Sequence, residues 1–401
     1  MKLRAESLVH GGDTIGRLED GRVVFLRGAA PGDLVEAEVV ADDGRYLRAR
    51  TVRVLEAGPA RVVAPCEFVQ VCGGCPVQQV GYSEQLKAKE ALTADALERI
   101  GGFVRASYEL KAIVPSPKQF NYRRRARMHR AGRGKWGFAQ AGTARVEPIA
   151  RCLLFEPLVQ QLADLLEDLP GVSDVAILAG EGRGALDLHG DTTKKQAQKL
   201  ADHPLIKGIT LGGVSIGDPI IADGKLPNGA RLRLRPDTFA QANRSMVPLL
   251  QAEVQRLLQG AENLLELFCG SGTLTLPLLG ARAVTAVESA GLSLALLRKS
   301  ADEAGLAVKL VAGDAAKVAR SLDGSFDAAL LDPPRTGAAE AVKALAARKI
   351  ARIVYVSCDA PTLARDGKLL AQQGYKLLEV APLDLFPQTA HFEVVALFAL
   401  P

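Results

Sequence analysis

The stretch NLLELFCGSGTLTL, Asn263 to Leu276, decides how the second half of this chain folds. An apolar run of strand length leads directly into Gly270 and Gly272, one residue apart. Glycines placed after a strand let the backbone turn sharply and approach a ligand closely. The third glycine of a dinucleotide-binding fingerprint is missing, because Thr275 stands in its place, so the glycine pair alone is a weak signal. The next strand-like runs strengthen it. AVTAVES reaches Glu288, VKLVAGD ends on Asp314, and FDAALLDPPR carries Asp332, each as an acid at the carboxyl end of its run. ARIVYVSCD places Cys358 where a fifth strand meets its helix, and FEVVALFAL closes the chain. Strands alternating with helical stretches predict a doubly wound α/β sheet with its ligand at the carboxyl ends of the strands.

N-terminal to this unit the composition changes. The chain has 401 residues, a formal charge of +5 and 48% hydrophobic residues, enough for two or three domains with substantial cores. No run approaches the roughly 18–20 apolar residues of a membrane span. The opening MKLRAESLVHGGD has no apolar signal core, so a cytoplasmic protein without structural disulfides is expected. Six cysteines are present, and three of them fall in CEFVQVCGGCP, Cys66 to Pro76. In a reducing compartment such spacing reads as metal ligation, with Cys152 of PIARCLLFEP the natural fourth ligand. Three close cysteines with a following proline favour an iron–sulfur cluster over zinc, with ordinary buried thiols third.

Residues 1–58 are rich in β-branched runs separated by Gly, Pro and Asp. They predict a small OB-like barrel, with Arg45, Arg48, Arg50 and Arg53 as candidate nucleic-acid contacts. YSEQLKAKEALTADALERIGG reads as a helix with apolar residues near helical spacing, ended by Gly101. Between Glu109 and Glu147 lie ten basic residues and no acid, centred on NYRRRAR and interleaved with Phe120, Tyr122, Trp136 and Phe138. Cations that neutralise phosphates beside rings that stack on unpaired bases point to RNA, with Arg123, Arg124, Arg125 and Arg127 as the candidate contacts. The expected organisation is a barrel at 1–58, a mixed α/β iron–sulfur and RNA-binding domain at 59–240, and a Rossmann-like domain at 241–401.

Taken together, the acids and glycines at four successive strand ends look like the S-adenosylmethionine pocket of class I methyltransferases. CEFVQVCGGC, NYRRRAR, FAQAN, LLELFCGSGTLTLPL, LDPPR, VSCDAPTLARD and FPQTAHFEVV together resemble the RNA (uracil-5-)-methyltransferases over almost the whole chain. The barrel is similar to that family's TRAM domain. TRAM plus the cysteine group resembles the branch acting on 23S rRNA more than the tRNA branch. The resemblance implies a [4Fe–4S] cluster on Cys66, Cys72, Cys75 and Cys152. It implies S-adenosylmethionine bound by Gln241, Phe268, Gly270, Gly272, Thr273, Glu288, Asp314 and Asp332. Cys358 would be the nucleophile toward uracil C6, activated by its place near a helix N-terminus, and Glu393 the base that removes the C5 proton. Two positions depart from the family pattern: Thr273 for Asn, and Asp359 for Asn beside the nucleophile. Extra negative charge there calls for local compensation. A monomer acting on RNA is expected, with tRNA as the second substrate choice and a non-enzymatic iron–sulfur RNA-binding factor as the alternative class. An amino methyltransferase is disfavoured, because Arg335 stands where its motif needs an aromatic ring.

Overall fold

The structure, a computed structural model, describes residues 1–166 and 169–401. The amino end is a five-stranded unit of β1 (Lys2–Arg4), β2 (Thr14–Arg17), β3 (Val23–Arg27), β4 (Leu34–Asp42) and β5 (Tyr46–Glu56), in the order β1-β4-β5-β3-β2. Alternation does the sorting: in β3, Val24 and Leu26 turn inward to meet Leu3, Val35 and Leu47.

The cysteine loop comes next in the chain, then α1 (Tyr82–Asp95), which continues as a wider turn to Ile100 before Gly101. Its buried row is Gln85, Lys89 and Thr93, at four-residue spacing. The sequence suggested an apolar stripe here, but the face turned inward is polar. A short strand, β6 (Glu109–Leu110), comes after it.

A seven-stranded sheet occupies the middle of the chain. It contains β7 (Arg125–Gly132), β8 (Lys135–Ala139), β9 (Val146–Pro148), β10 (Val172–Ala179), β11 (Gly184–Gly190), β12 (Ile206–Leu211) and β13 (Val214–Gly217). Two helices, α2 (Pro157–Asp164) and α3 (Lys194–Ala201), cover one face through Val159, Leu162 and Ala197. A hairpin of β14 (Ile221–Lys225) and β15 (Arg231–Leu234) leads onward.

The last unit holds α4 (Val247–Leu257), β16 (Asn263–Leu267), β17 (Ala283–Glu288), α5 (Gly291–Glu303), β18 (Lys309–Ala312), α6 (Ala315–Ser321), β19 (Ala328–Leu331), α7 (Ala339–Ala347), β20 (Arg352–Ser357), α8 (Ala360–Ala371), β21 (Lys376–Leu383) and β22 (Glu393–Ala399). The sheet order is β18-β17-β16-β19-β20-β22-β21-β6. Strands β16 to β20 run parallel; β16, β17, β19 and β20 are almost wholly buried, as expected of a sheet covered by helices on both faces, while the edge strand β18 is only partly covered. The chain steps outward from β16 to β18 and then returns to β19 on the other side of β16. This is the reversal that opens a ligand crevice at the carboxyl ends. The doubly wound expectation holds, with one antiparallel strand, β22, inserted between β20 and β21.

Packing crosses the expected boundary at 240. The core on one side of the sheet takes in Ile221, Leu232 and Leu234, and the core on the other takes in Ala96, Leu97 and Tyr108. Strand β6 adds to the edge of β21 in parallel.

Candidate active site and cysteine cavity

The glycine turn after β16 is held open by its own backbone. Phe268, Gly270 and Gly272 all have positive φ, at 62°, 53° and 91°. A Cβ on Gly272 would come within 2.4 Å of Leu297 Cδ1 on α5, so a side chain there is excluded by packing as well as by torsion. A Cβ on Gly270 would meet nothing within 4 Å, which leaves room in front of the turn. Glu288, ending β17, accepts from Gly270 N at 3.1 Å and from Ala290 N at 2.8 Å, tying the turn to the start of α5. Asp314 caps α6 by accepting from Lys317 N at 2.9 Å. The Thr273 carbonyl accepts from Gln251 Nε2 at 2.7 Å. Gln241 Oε1 and Ser271 Oγ are buried without a partner among the described residues. Buried polar atoms normally find one, so these orphans suit a polar ligand. The residues present therefore fit an S-adenosylmethionine-like group.

The chemistry gathers one strand further on. Strand β22 pairs antiparallel with β20, with Ser357 opposite Val394. The next position in that register brings Glu393 opposite Cys358, although the two are far apart in sequence. Asp332, at the end of β19, lies beside them, and its charge helps to push the buried Glu393 carboxyl well above the ordinary range; burial is the larger cause. Burial likewise raises Asp332. Glu266, inside β16, is pushed up to about 8 by burial and by Asp332. Glu393 Oε2 is buried with no hydrogen-bond partner among the described residues.

The Cys358 thiol is pushed up to about 11, first by burial and then by Glu393. The sequence suggested the opposite direction, from the helix N-terminus. Desolvation of a thiolate and a neighbouring carboxylate oppose that dipole. The Arg335 guanidinium faces the sulfur and works to lower it. Arg335, read in the sequence only as a missing aromatic ring, is thus part of the site. Helix α8 fixes its loop, with Arg365 donating to Thr336 O at 2.9 Å. The fully buried Asp366 accepts from Ala338 N at 2.6 Å and from the Tyr355 hydroxyl at 2.7 Å. Asp359 accepts from the Thr362 hydroxyl at 2.8 Å, so this departure from the family pattern finds a local partner.

Cys66, Cys72, Cys75 and Cys152 line one cavity, with Phe68, Val69, Phe138, Ile149, Leu153 and Leu154 between them. Burial pushes Cys75 up to about 12 and raises Cys72 and Cys152. Gly74 N points at Cys72 Sγ, 3.4 Å away. Among the described residues no three His, Cys, Asp or Glu side chains are arranged to hold a single metal ion. Four thiols around one largely apolar hollow are a donor set of the kind that thiolate-held metal centres use.

The basic stretch divides in two. Arg124 is fully buried, donating to Gln241 O at 2.9 Å and pairing with Asp223, so its guanidinium is spent inside the protein. Arg125 donates to Pro236 O at 3.3 Å. Arg123 is half-buried and faces Cys75 and Cys152. Arg127 is exposed against the His189 ring. Arg133, Lys135, Arg145 and Arg151 are exposed and have no carboxylate partner among the described residues. In the barrel, by contrast, Arg45, Arg48, Arg50 and Arg53 all have an acid within 4 Å.

Residues 228–399 match the family described as tRNA (Uracil-5-)-methyltransferase, and residues 3–52 match the TRAM domain. The chain is 33% identical to the 23S rRNA (uracil(1939)-C(5))-methyltransferase RlmD of Stenotrophomonas maltophilia (strain R551-3), over 98% of this chain and 95% of that one. It is 34% identical to the protein of the same description from Pseudomonas fluorescens (strain Pf0-1), over 99% and 91%. Among solved structures, the Pyrococcus abyssi tRNA (uracil-54, C5)-methyltransferase with S-adenosyl-L-homocysteine matches with a TM-score of 0.76 and 24% identity, covering 100% of both chains. A strand-end crevice, a thiol and carboxylate brought together by register, and full-length similarity all lead to one assignment: the chain belongs to the RNA (uracil-5-)-methyltransferase family.

Proposed function

We propose that this protein methylates C5 of a uridine in RNA, with 23S rRNA as its substrate, using S-adenosylmethionine. The observation that supports the reading is the β20–β22 register, which ends with Ser357 opposite Val394 and so brings the following Cys358 close to Glu393. Uracil C5 is a poor nucleophile. The Cys358 thiolate adds to C6, and the resulting enolate character makes C5 reactive. The bound sulfonium supplies the methyl group. Glu393 then takes the C5 proton, the freed electron pair forms the C5–C6 double bond, and the sulfur leaves as thiolate. Arg335 favours the thiolate, and Asp332 shares the acidic wall with Glu393. Gln241, Phe268, Gly270, Gly272, Thr273, Glu288 and Asp314 line the proposed cofactor side. The target base must leave its stack to reach this crevice. Phe239, an exposed aromatic two residues before Gln241, is suited to stack against an unpaired base.

The four cysteines are proposed to hold a [4Fe–4S] cluster that staples the segment carrying the arginines, a use of metal ligation that adds to folding stability. Uridine methylation by this route needs no electron transfer. Iron and acid-labile sulfide in anaerobically purified protein support this assignment, and stoichiometric zinc in colourless protein overturns it.

The preference for 23S rRNA rests on the sequence similarity. The three-part layout does not discriminate, because a protein described as acting on tRNA shares it along its whole length. The test is tritium release from uridine-[5-³H] transcripts, with anaerobically purified protein and S-adenosylmethionine. Release from 23S rRNA alone supports both chemistry and substrate. Release from tRNA alone keeps the chemistry and overturns the substrate. Methyl incorporation without release overturns C5 as the target atom. Neither event, in protein with its metal intact, favours a binding factor without this activity.

A further inference from the structure

Residues 384–388 lead from β21 toward Glu393, and every one of them is held by a group from elsewhere in the chain. Asp384 accepts from Lys89 Nζ at 2.6 Å, and both side chains are buried. The Leu385 carbonyl accepts from Asn243 Nδ2 at 3.1 Å, the Phe386 carbonyl from Lys89 Nζ at 3.3 Å, and the Pro387 carbonyl from the Tyr122 hydroxyl at 3.0 Å. Gln388 N donates to Gln85 Oε1 at 3.1 Å, and Gln85 Nε2 donates back to Gln388 Oε1 at 3.0 Å. This explains the polar buried face of α1, since Gln85 and Lys89 are two of its three inward residues.

Gln388 itself has φ of 68°, a conformation that residues with a side chain seldom adopt. Such strain persists only where the surroundings over-determine the backbone. Here the surroundings are the paired amides of Gln85 and Gln388, five residues before the carboxylate that the reaction needs. Gln85 is in turn fixed to the end of the cysteine loop, donating to Val80 O at 2.8 Å.

We propose that Gln85 is a positioning residue for the base: its amide clamp on Gln388 holds the strained backbone that aims Glu393 at the carbon next to the Cys358 adduct. This rests on the reading of Glu393 as the general base. Proton removal comes directly after methyl transfer. A displaced Glu393 leaves the C5–H bond unbroken, so the Sγ–C6 bond persists and a covalent protein–RNA adduct builds up. A merely structural role would lower the amount of folded enzyme without building adduct.

The test uses full-length protein purified anaerobically, S-adenosylmethionine and 23S rRNA transcripts, with adduct read on denaturing gels beside turnover and melting temperature. Three variants are compared: Gln388→Gly, Gln85→Ala and Glu393→Gln. Gln388→Gly is informative because glycine accepts the positive φ without strain and keeps the backbone N–H that donates to Gln85, so folding is retained while the side-chain half of the clamp is removed and the backbone there is freed. The expected result is an unchanged or raised melting temperature for Gln388→Gly, turnover reduced on the order of tenfold, and adduct accumulating as in Glu393→Gln. Wild-type turnover in Gln388→Gly and Gln85→Ala overturns the clamp, and so does abolished turnover without adduct while Glu393→Gln accumulates it. If Glu393→Gln itself neither slows turnover nor accumulates adduct, the general-base reading fails and the clamp falls with it.

Discussion

In the free protein Cys358 rests as a thiol. With its ionisation pushed up to about 11 by burial and by Glu393, the thiolate at pH 8 is three units short of its midpoint. That leaves about one molecule in a thousand ionised. Alkylation by iodoacetamide reports this directly, because only the thiolate reacts. Mapped to the Cys358 peptide, the rate should climb about tenfold per pH unit from pH 7 to 9.5, with no plateau. Cys269 gives little interference, since burial raises its thiol further still. Arg335 is the group that opposes the rise, and a cation within about 4–6 Å lowers an acidic group by about one to three units. Arg335→Met should therefore slow alkylation at pH 8 by at least about tenfold, with the slope against pH unchanged. A plateau near pH 8 in the wild-type protein, or an Arg335→Met rate equal to wild type, would refute the reasoning. Either result would mean that the thiol is ionised by something other than this guanidinium.

The same geometry sets the outcome of other perturbations. Glu266 ionises in the folded protein near 8 rather than near 4.5, so the native state holds the proton more tightly. Its contribution to stability is present below about 4.5 and is lost as pH rises to about 8, at most about 5 kcal/mol over that window; urea unfolding of Glu266→Gln at pH 5, 6.5 and 8 should show a flatter dependence than wild type. Arg124→Met leaves the largely buried Asp223 with only its longer pairing to Arg244 at 3.9 Å and should cost at most about 3–5 kcal/mol of stability, read by denaturant unfolding. In contrast, Arg145→Gln combined with Arg151→Gln should leave stability alone and reduce the salt dependence of RNA binding by about 0.7–0.9 for each phosphate no longer neutralised, read by filter binding across a salt series. The proposed cluster predicts that a chelator lowers the melting temperature, and lowers it less in a Cys152→Ser variant, which would lack one of the proposed ligands.

The glycine turn and the strand-end acids were legible in the sequence because they answer to local rules: a positive φ demands glycine, and a parallel sheet puts its loops at one end. Phe268, with the same positive φ, gives no such sign in the sequence. The meeting of Cys358 and Glu393 depends on β22 running antiparallel between β20 and β21, a choice of register that neither segment announces. Without the family resemblance Glu393 would have read as an ordinary strand residue. The arginine stretch misled in part. Charge along a sequence says nothing of which way successive side chains turn, and the strand through 121–124 passes between the segments at 153–156 and 241–243. That passage buries Arg124 and leaves Arg127 outside. Helix α1 misled for a related reason: its inward face meets backbone carbonyls of a loop, so it needs amide and ammonium groups where a helix on a sheet needs leucine.

The two-residue strand β6 has a consequence in time. It completes the edge of a sheet whose neighbouring strand, β21, begins at Lys376. At about 5–20 residues per second, a ribosome needs about 13–53 s to travel from one to the other. Through that interval Leu97 and Tyr108 have been made but the strands and helix that bury them have not. The amino-terminal half therefore emerges with an apolar face awaiting its partner, and a fragment beginning at residue 241 would carry the complementary defect, an unpaired β21 edge open to association with other chains.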